Sequence, residues 1–371
     1  MTHMFADTFQ SKTVWISGST GFKGAWLAQW LVELGATVHG YSLEAPTDPS
    51  LSARIGIGER IRQQTADIVD AAAVRESIVS VRPDFVFHLA AQPLVRAAFE
   101  DPAGTYAANV MGTVNVLEAL RHLPGDKPCA AVFVTTDKCY ENREWLHGYR
   151  EEDPLGGHDP YSSSKACAEL AVGSWRRSFF GSGPVRIASA RAGNVIGGGD
   201  WAKDRIVPDS IRALRDGVAI PVRNRVSSRP WQHVLEPLSG YLWLAAVLAR
   251  PELRPVEPRQ ISGAFNFGPN LDSNRTVAEL VEELLRHWPG RWEDRSQPGA
   301  VHEARLLNLA CDKAHHLLGW RPVWDFSTTL EATVSWYRRE HEAPADLLRM
   351  TSEQIHRYAS DAARAGVAWA R

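Results

Sequence analysis

Cysteine is scarce: Cys129, Cys139, Cys167 and Cys311 are the only four in 371 residues. They lie far apart, with no CxxC pair and no Cys/His cluster at zinc spacing, which argues against a disulfide framework and against a bound metal. Neither sign of charge dominates. Forty-one Lys and Arg face 43 Asp and Glu, for a formal charge of −2. Such a balance gives no general attraction to nucleic acid or to a membrane surface, and neither is an expected partner. Long apolar runs are missing as well. The longest, Tyr241 to Ala249, falls far short of the ~20 residues a bilayer requires. The opening residues, MTHMFADTFQSK, show no signal-peptide core, so a cytoplasmic chain with free thiols is expected.

What is present is globular in type, with 44% hydrophobic and 23% charged residues. A chain this long implies about two domains, or one large α/β domain with an elaborated lobe. The 28 Gly and 22 Pro suggest many tight turns. Fourteen Trp is a high count for a side chain that suits walls both apolar and able to donate a hydrogen bond.

Short apolar runs alternate with helical patterns through the first 190 residues or so. Strands are expected at Thr13–Ser17, Thr37–Tyr41, Ile61–Thr65, Phe85–Leu89, Ala131–Thr135 and Val185–Ala190, and helices at Ala25–Leu34, Ala71–Val81, Thr105–His122 and Tyr161–Arg177. This rhythm predicts an α/β fold, a Rossmann-type doubly wound parallel sheet. From about Asn194 it breaks into loops and Pro-rich joints. A dinucleotide-binding domain is therefore expected over 1–193 plus about 232–266. A smaller C-terminal substrate lobe is expected over about 194–231 plus 267–371, above the carboxyl edge of the sheet.

Between the first strand and the first helix runs Gly18-Ser-Thr20-Gly21-Phe22-Lys23-Gly24. Gly18 permits a tight turn, Gly21 lets the backbone approach a diphosphate, and Gly24 lets the helix pack on the sheet. The diphosphate then meets free N–H groups at a helix N-terminus. The second strand is followed by Ser42 and Glu44, either of which suits an adenosine ribose, and no Arg stands there for a 2′-phosphate. NAD is favoured over NADP on that ground.

Tyr161 and Lys165 follow Pro160, four residues apart and so on one helix face. A phenol titrates near ~10 and is a poor base until a neighbouring cation stabilises the phenolate. Lys165, together with the oxidised nicotinamide, is expected to supply that charge.

These motifs, together with His88-Leu-Ala90-Ala91-Gln92, Asn109-Val-Met-Gly-Thr113, Thr135-Thr136 and Arg191-Ala-Gly-Asn194, resemble the extended short-chain dehydrogenase/reductases that act on nucleotide sugars. The strings Gly21-Phe-Lys-Gly-Ala-Trp26, Thr136-Asp137-Lys138-Cys-Tyr140 and Arg229-Pro-Trp-Gln-His-Val234 resemble, more narrowly, the branch that dehydrates CDP-glucose. The resemblance implies that Thr20, Phe22, Lys23, Asp67, Ile68, Ala90, Ala91, Gln92, Asn109 and Thr135 join the glycines, Ser42, Tyr161 and Lys165 around NAD. It implies that Asn194, Arg205, Arg229 and His302 hold the nucleotide sugar. It also assigns Thr136, Asp137, Lys138, Tyr161 and Lys165 to catalysis. Tyr161 takes the O4 proton while hydride leaves C4, a neutral Lys138 takes the C5 proton, and a protonated Asp137 gives its proton to O6 as water leaves C6. Relatives commonly dimerise through the two helices after Thr105 and Tyr161, so a homodimer or larger assembly is expected. A 4-epimerase, a dehydratase for another nucleotide, and a non-catalytic dinucleotide sensor are the alternatives. An epimerase has no use for Asp137-Lys138, and a sensor has none for Tyr161.

Overall fold

The computed structural model describes residues 4–296 and 306–371. The central strands are apolar on both faces, as a sheet covered from two sides requires. In β1 (Thr13–Ser17), Val14 and Ile16 enter one core while Trp15 enters the other. The same alternation holds in β4 (Phe85–His88) and β5 (Cys129–Val134), where Phe87 and Val132 oppose Val86 and Ala131. With β2 (Thr37–Ser42), β3 (Arg62–Thr65), β6 (Val185–Ala192) and β7 (Ala264–Phe267), they form a seven-stranded parallel sheet in the order β7-β6-β5-β4-β1-β2-β3. Ser17, at the end of β1, stands level with Tyr41 on β2 and His88 on β4. The order reverses between β1 and β4, and ligands of open α/β sheets bind at such a crevice.

The helices are α1 (Phe22–Glu33), α2 (Ala71–Val81), α3 (Pro102–Tyr106), α4 (Gly112–Arg121), α5 (Pro160–Ser178), α6 (Ile206–Arg215), α7 (Leu235–Ala249), α8 (Val277–His287), α9 (Phe326–Glu342) and α10 (Leu347–Arg364). α2, α4 and α5 cover one face of the sheet; α1 and α7 cover the other. The longest apolar run belongs to α7, whose residues are buried on every side, as expected of a helix apolar all round. The helix expected over Thr105–His122 is interrupted: α3 and α4 are joined by a π turn at Ala107–Met111. That wider turn carries Asn109 inward, where its Nδ2 donates to the Gln92 carbonyl at 3.1 Å and to Ser164 Oγ at 2.9 Å.

Beyond β6, short strand pairs join 220–222 to 292–294 and 228–230 to 274–276. α9 and α10 return to pack beside α1, and the tryptophans seal this junction. Buried indole N–H groups donate from Trp26 to the Gly198 carbonyl, from Trp320 to Ser239 Oγ, and from Trp336 to Thr351 Oγ1.

Glu236 on α7 fastens the same junction. It is fully buried, and its carboxylate accepts the Trp324 N–H at 2.7 Å, the Val323 N–H, and the Tyr358 hydroxyl at 2.7 Å. Burial pushes its pKa up to about 7. A raised carboxyl pKa means that the folded state holds a proton the unfolded chain has lost. Stability from this group is thus full below the unfolded value and falls as pH rises towards 7. Glu236→Gln keeps an acceptor for both backbone N–H groups and removes the titration. The variant should lose the decline in melting temperature between pH 4.5 and 7; an unchanged decline in thermal melts across that range would rule out Glu236 as its source.

Candidate active site

The glycine turn leaves β1 with Gly18 at φ +75°, a left-handed conformation that favours glycine. A Cβ on Gly18 would stand 2.8 Å from the Ala90 N, and one on Gly24 would stand 2.0 Å from the Gly18 carbonyl oxygen. Gly21 is the N-cap of α1 and offers no side-chain cap, so the first N–H groups of a 12-residue helix face outward as an anion site. These features fit a dinucleotide diphosphate. Ser42 is buried beneath the turn, where its Oγ accepts the Thr20 N–H and bonds the hydroxyls of Ser19 and Thr20. Glu44 and Asp67 are exposed, while Ile68 is buried against Gly112. Ala90 and Ala91 follow β4, next to Gln92, whose N–H donates to Asn109 Oδ1 at 2.8 Å.

Phe22 lies against Gly197, and Lys23 points toward the reacting end. Burial and the Arg205 charge bring the Lys23 pKa down to about 8, with Asp137 opposing and Lys165 adding to the fall.

α5 starts at Pro160, its free N–H groups capped by Asp159, which accepts the Ser162 N–H at 3.0 Å. Tyr161 and Lys165 occupy the first turns and are 8% and 6% exposed. Opposite them, Thr135 and Thr136 follow the end of β5, and a single helical turn presents Asp137, Lys138 and Cys139. The Thr136 hydroxyl donates to Asp137 Oδ1 at 2.9 Å and helps to lower the Tyr161 pKa. Thr135 turns away, its hydroxyl donating to Glu169 Oε1 at 2.5 Å. Asp137 is 3% exposed, and burial raises its pKa against the opposing charges of Lys138, Arg229 and Lys23 and the Thr136 bond. The carboxyl is thereby biased toward the protonated form an acid must hold. Lys138 beside it is half-buried.

Burial drives the Tyr161 phenol up to about 12, against the Thr136 hydroxyl and the Arg205 charge, which lower it. Burial brings the Lys165 pKa down to about 8, with Glu169 and Cys139 opposing the fall. Desolvation outweighs a single cation when both groups lie in a buried site.

From the lobe, Arg205 reaches the site while paired with Asp200 at 2.7 Å. The Arg229 charge acts on Asp137. Asn194 is half-buried, and its carbonyl accepts the Gln232 N–H. His302 lies outside the described residues. Sequence reasoning overlooked Gly193: a Cβ there would stand 2.9 Å from Asp137 Oδ2. Gly193→Ala should displace the carboxyl while leaving the fold intact. A misplacement of about 1 Å can cost ~10²-fold, so turnover should fall by about that factor in steady-state assays at an unchanged melting temperature. Wild-type turnover would show that the space is idle.

Fold and site together define a Rossmann-type protein that presents a buried Tyr–Lys pair and an acid–lysine turn to a dinucleotide crevice. The chain belongs to the GDP-mannose 4,6-dehydratase family, whose model matches residues 15–242. It is 44% identical over 365 residues to a CDP-glucose 4,6-dehydratase of Salmonella typhimurium, covering 96% of this chain and 98% of that protein. It is 28% identical to a dTDP-glucose 4,6-dehydratase of Neisseria gonorrhoeae, covering 89% and 97%. Among solved structures, a dTDP-glucose 4,6-dehydratase from Streptomyces venezuelae with NAD bound aligns with a TM-score of 0.72 at 23% identity, covering 89% and 98%. A UDP-glucose 4-epimerase from Thermotoga maritima aligns with a TM-score of 0.74 at 19% identity, covering 89% and 99%. These two support the fold.

Proposed function

We propose that the chain is an NAD-dependent hydro-lyase that converts CDP-glucose to CDP-4-dehydro-6-deoxyglucose. The observation that carries this reading is the buried Asp137 beside Lys138, bonded to Thr136 and set near the buried Tyr161 phenol, on which both act. The 44% identical relative supports the CDP-glucose assignment. NAD would be held by Gly18, Gly21, Gly24 and the residues around Lys165, and would supply the hydride acceptance at C4 and return at C6 that the net dehydration requires. Tyr161, aided by Thr136, takes the O4 proton. The ketone formed at C4 acidifies the C5 proton, and Lys138 in its neutral form removes it. Asp137 passes its proton to O6, one water leaves C6, and the Lys138 ammonium returns a proton to C5 once hydride has reached C6. Arg205, Arg229 and Asn194 grip the nucleotide diphosphate, guanidinium groups being suited to bind phosphate oxygens in pairs.

Segments 1–193 and 232–266 carry the cofactor, and 194–231 with 267–371 carry the nucleotide sugar. Phe99, Met111 and Leu170, each at least half exposed around α3, α4 and α5, support a homodimer through that face. A cytoplasmic place in deoxysugar and lipopolysaccharide precursor synthesis follows from the product. Among the described residues no helix is long and apolar enough to cross a membrane.

Incubating the purified protein separately with CDP-, dTDP-, UDP- and GDP-hexoses, and following water loss by mass spectrometry, tests the reading. Dehydration of CDP-glucose is the expected result. Inversion at C4 without water loss would make the protein an epimerase, and no reaction with any substrate would favour a binding protein.

A further inference from the structure

Behind Tyr161 and Lys165 lies a charged group that this reaction scheme leaves unused. Glu169 stands one helical turn after Lys165, on the same face of α5, and is 5% exposed. Its Oε1 accepts the Thr135 hydroxyl, and its Oε2 accepts Ser189 Oγ at 2.7 Å and Arg191 Nη2 at 2.8 Å. Arg191 also donates to the Tyr140 hydroxyl at 2.7 Å and to the Glu151 carbonyl at 3.0 Å. The Tyr140 hydroxyl in turn donates to Asn266 Oδ1 on β7 at 2.7 Å. One carboxylate thus ties together the end of β5, the helix that carries Lys165, and strand β6.

Burial opposes ionisation of Glu169, but the Arg191 charge and the three donated bonds hold its carboxyl below the usual carboxylate range. The surroundings of Lys165 otherwise offer the ammonium little compensation. Tyr161 shares its helix, and Asp137 and Cys139 line the turn after β5. His88 on β4 is kept neutral by burial and by Lys165 itself, while Lys23 on the glycine turn repels it. Glu169 is the leading charge that favours the Lys165 cation. The Val134 carbonyl accepts a bond from Nζ at 3.4 Å.

We propose that Glu169, balanced by Arg191, is a positioning residue for the reaction proposed above. It fixes the strand end that carries Thr135 and Thr136, and it supplies the buried negative charge against which the Lys165 ammonium is held. An ion pair that merely fills the core would have no effect on Lys165.

The test compares wild type, Glu169→Gln and Glu169→Gln/Arg191→Met. The double variant removes both charges and leaves no buried cation unpaired. Two pH profiles are measured for each: single-turnover reduction of the bound cofactor by CDP-glucose, and NAD affinity by quenching of tryptophan fluorescence. Loss of a neighbouring buried opposite charge moves a titration by about one pH unit or more. The alkaline limb of both profiles should therefore shift at least that far to lower pH in both variants. An unmoved limb in Glu169→Gln would overturn the proposal. So would a limb that shifts in the single variant and returns to the wild-type position in the double, since Glu169 would then only neutralise Arg191. If wild type fails to react with CDP-glucose, the substrate reading fails, and the NAD-affinity profiles still decide the role of Glu169.

Discussion

Tyr161→Phe should suppress both cofactor reduction and dehydration, by about 10²–10⁴-fold, the range typical of a positioned acid–base group. The phenol is buried beside the Asp137 turn, where both Thr136 and the Asp137 charge act on it. Phenylalanine preserves the ring's packing, and Thr136 keeps its bond to Asp137 Oδ1, so the fold should survive. Because burial holds the phenol up to about 12 before ligands bind, the deprotonated form is rare at neutral pH. The hydride step should accordingly speed up as pH rises in wild type, until loss of the Lys165 proton opposes it. That rise should vanish in the variant. Stopped-flow absorbance of reduced nicotinamide, combined with mass spectrometry of the product, reads both effects. Full wild-type rates in Tyr161→Phe would remove Tyr161 as the base.

The fold was legible because its signals are local. β1 and α1 were visible in a short apolar run, a glycine turn and a helical pattern, and chain connectivity placed them. Tyr161 and Lys165 were legible for the same reason, since four residues on a helix fix a shared face. The partners across elements could not be read this way. That the Arg205 charge reaches Tyr161 depends on how the lobe closes over the sheet. Gly193 looked like one more glycine until the fold set it against Asp137. The π turn at Ala107–Met111 left no mark in an amphipathic pattern that reads as one unbroken helix. Glu169 was within reach: its spacing of four from Lys165 follows the rule that joins Lys165 to Tyr161, and a carboxylate on a buried face needs a cation.

Separating the two halves of the elimination gives the sharpest result. Lys138→Ala should leave C4 oxidation intact, because no proton moves through Lys138 in that step, while exchange of the C5 proton with solvent falls by about 10²–10⁴-fold. Asp137→Asn should do the reverse. C5 exchange should continue, because the ketone and Lys138 remain, and loss of water should fall by a similar factor, because asparagine has no acidic proton to give O6. The electrostatics give the wild-type pH dependence its sign. Burial raises the Asp137 pKa, so the protonated acid persists above the usual carboxylate range, and water loss should weaken as pH climbs through that raised value. Single turnovers in deuterated water, with deuterium at C5 and mass loss followed together, resolve the steps. If Lys138→Ala slows C4 oxidation and C5 exchange equally, Lys138 is holding the turn in place rather than carrying the proton. If Asp137→Asn still eliminates water at the wild-type rate, the acid must be sought elsewhere in the crevice.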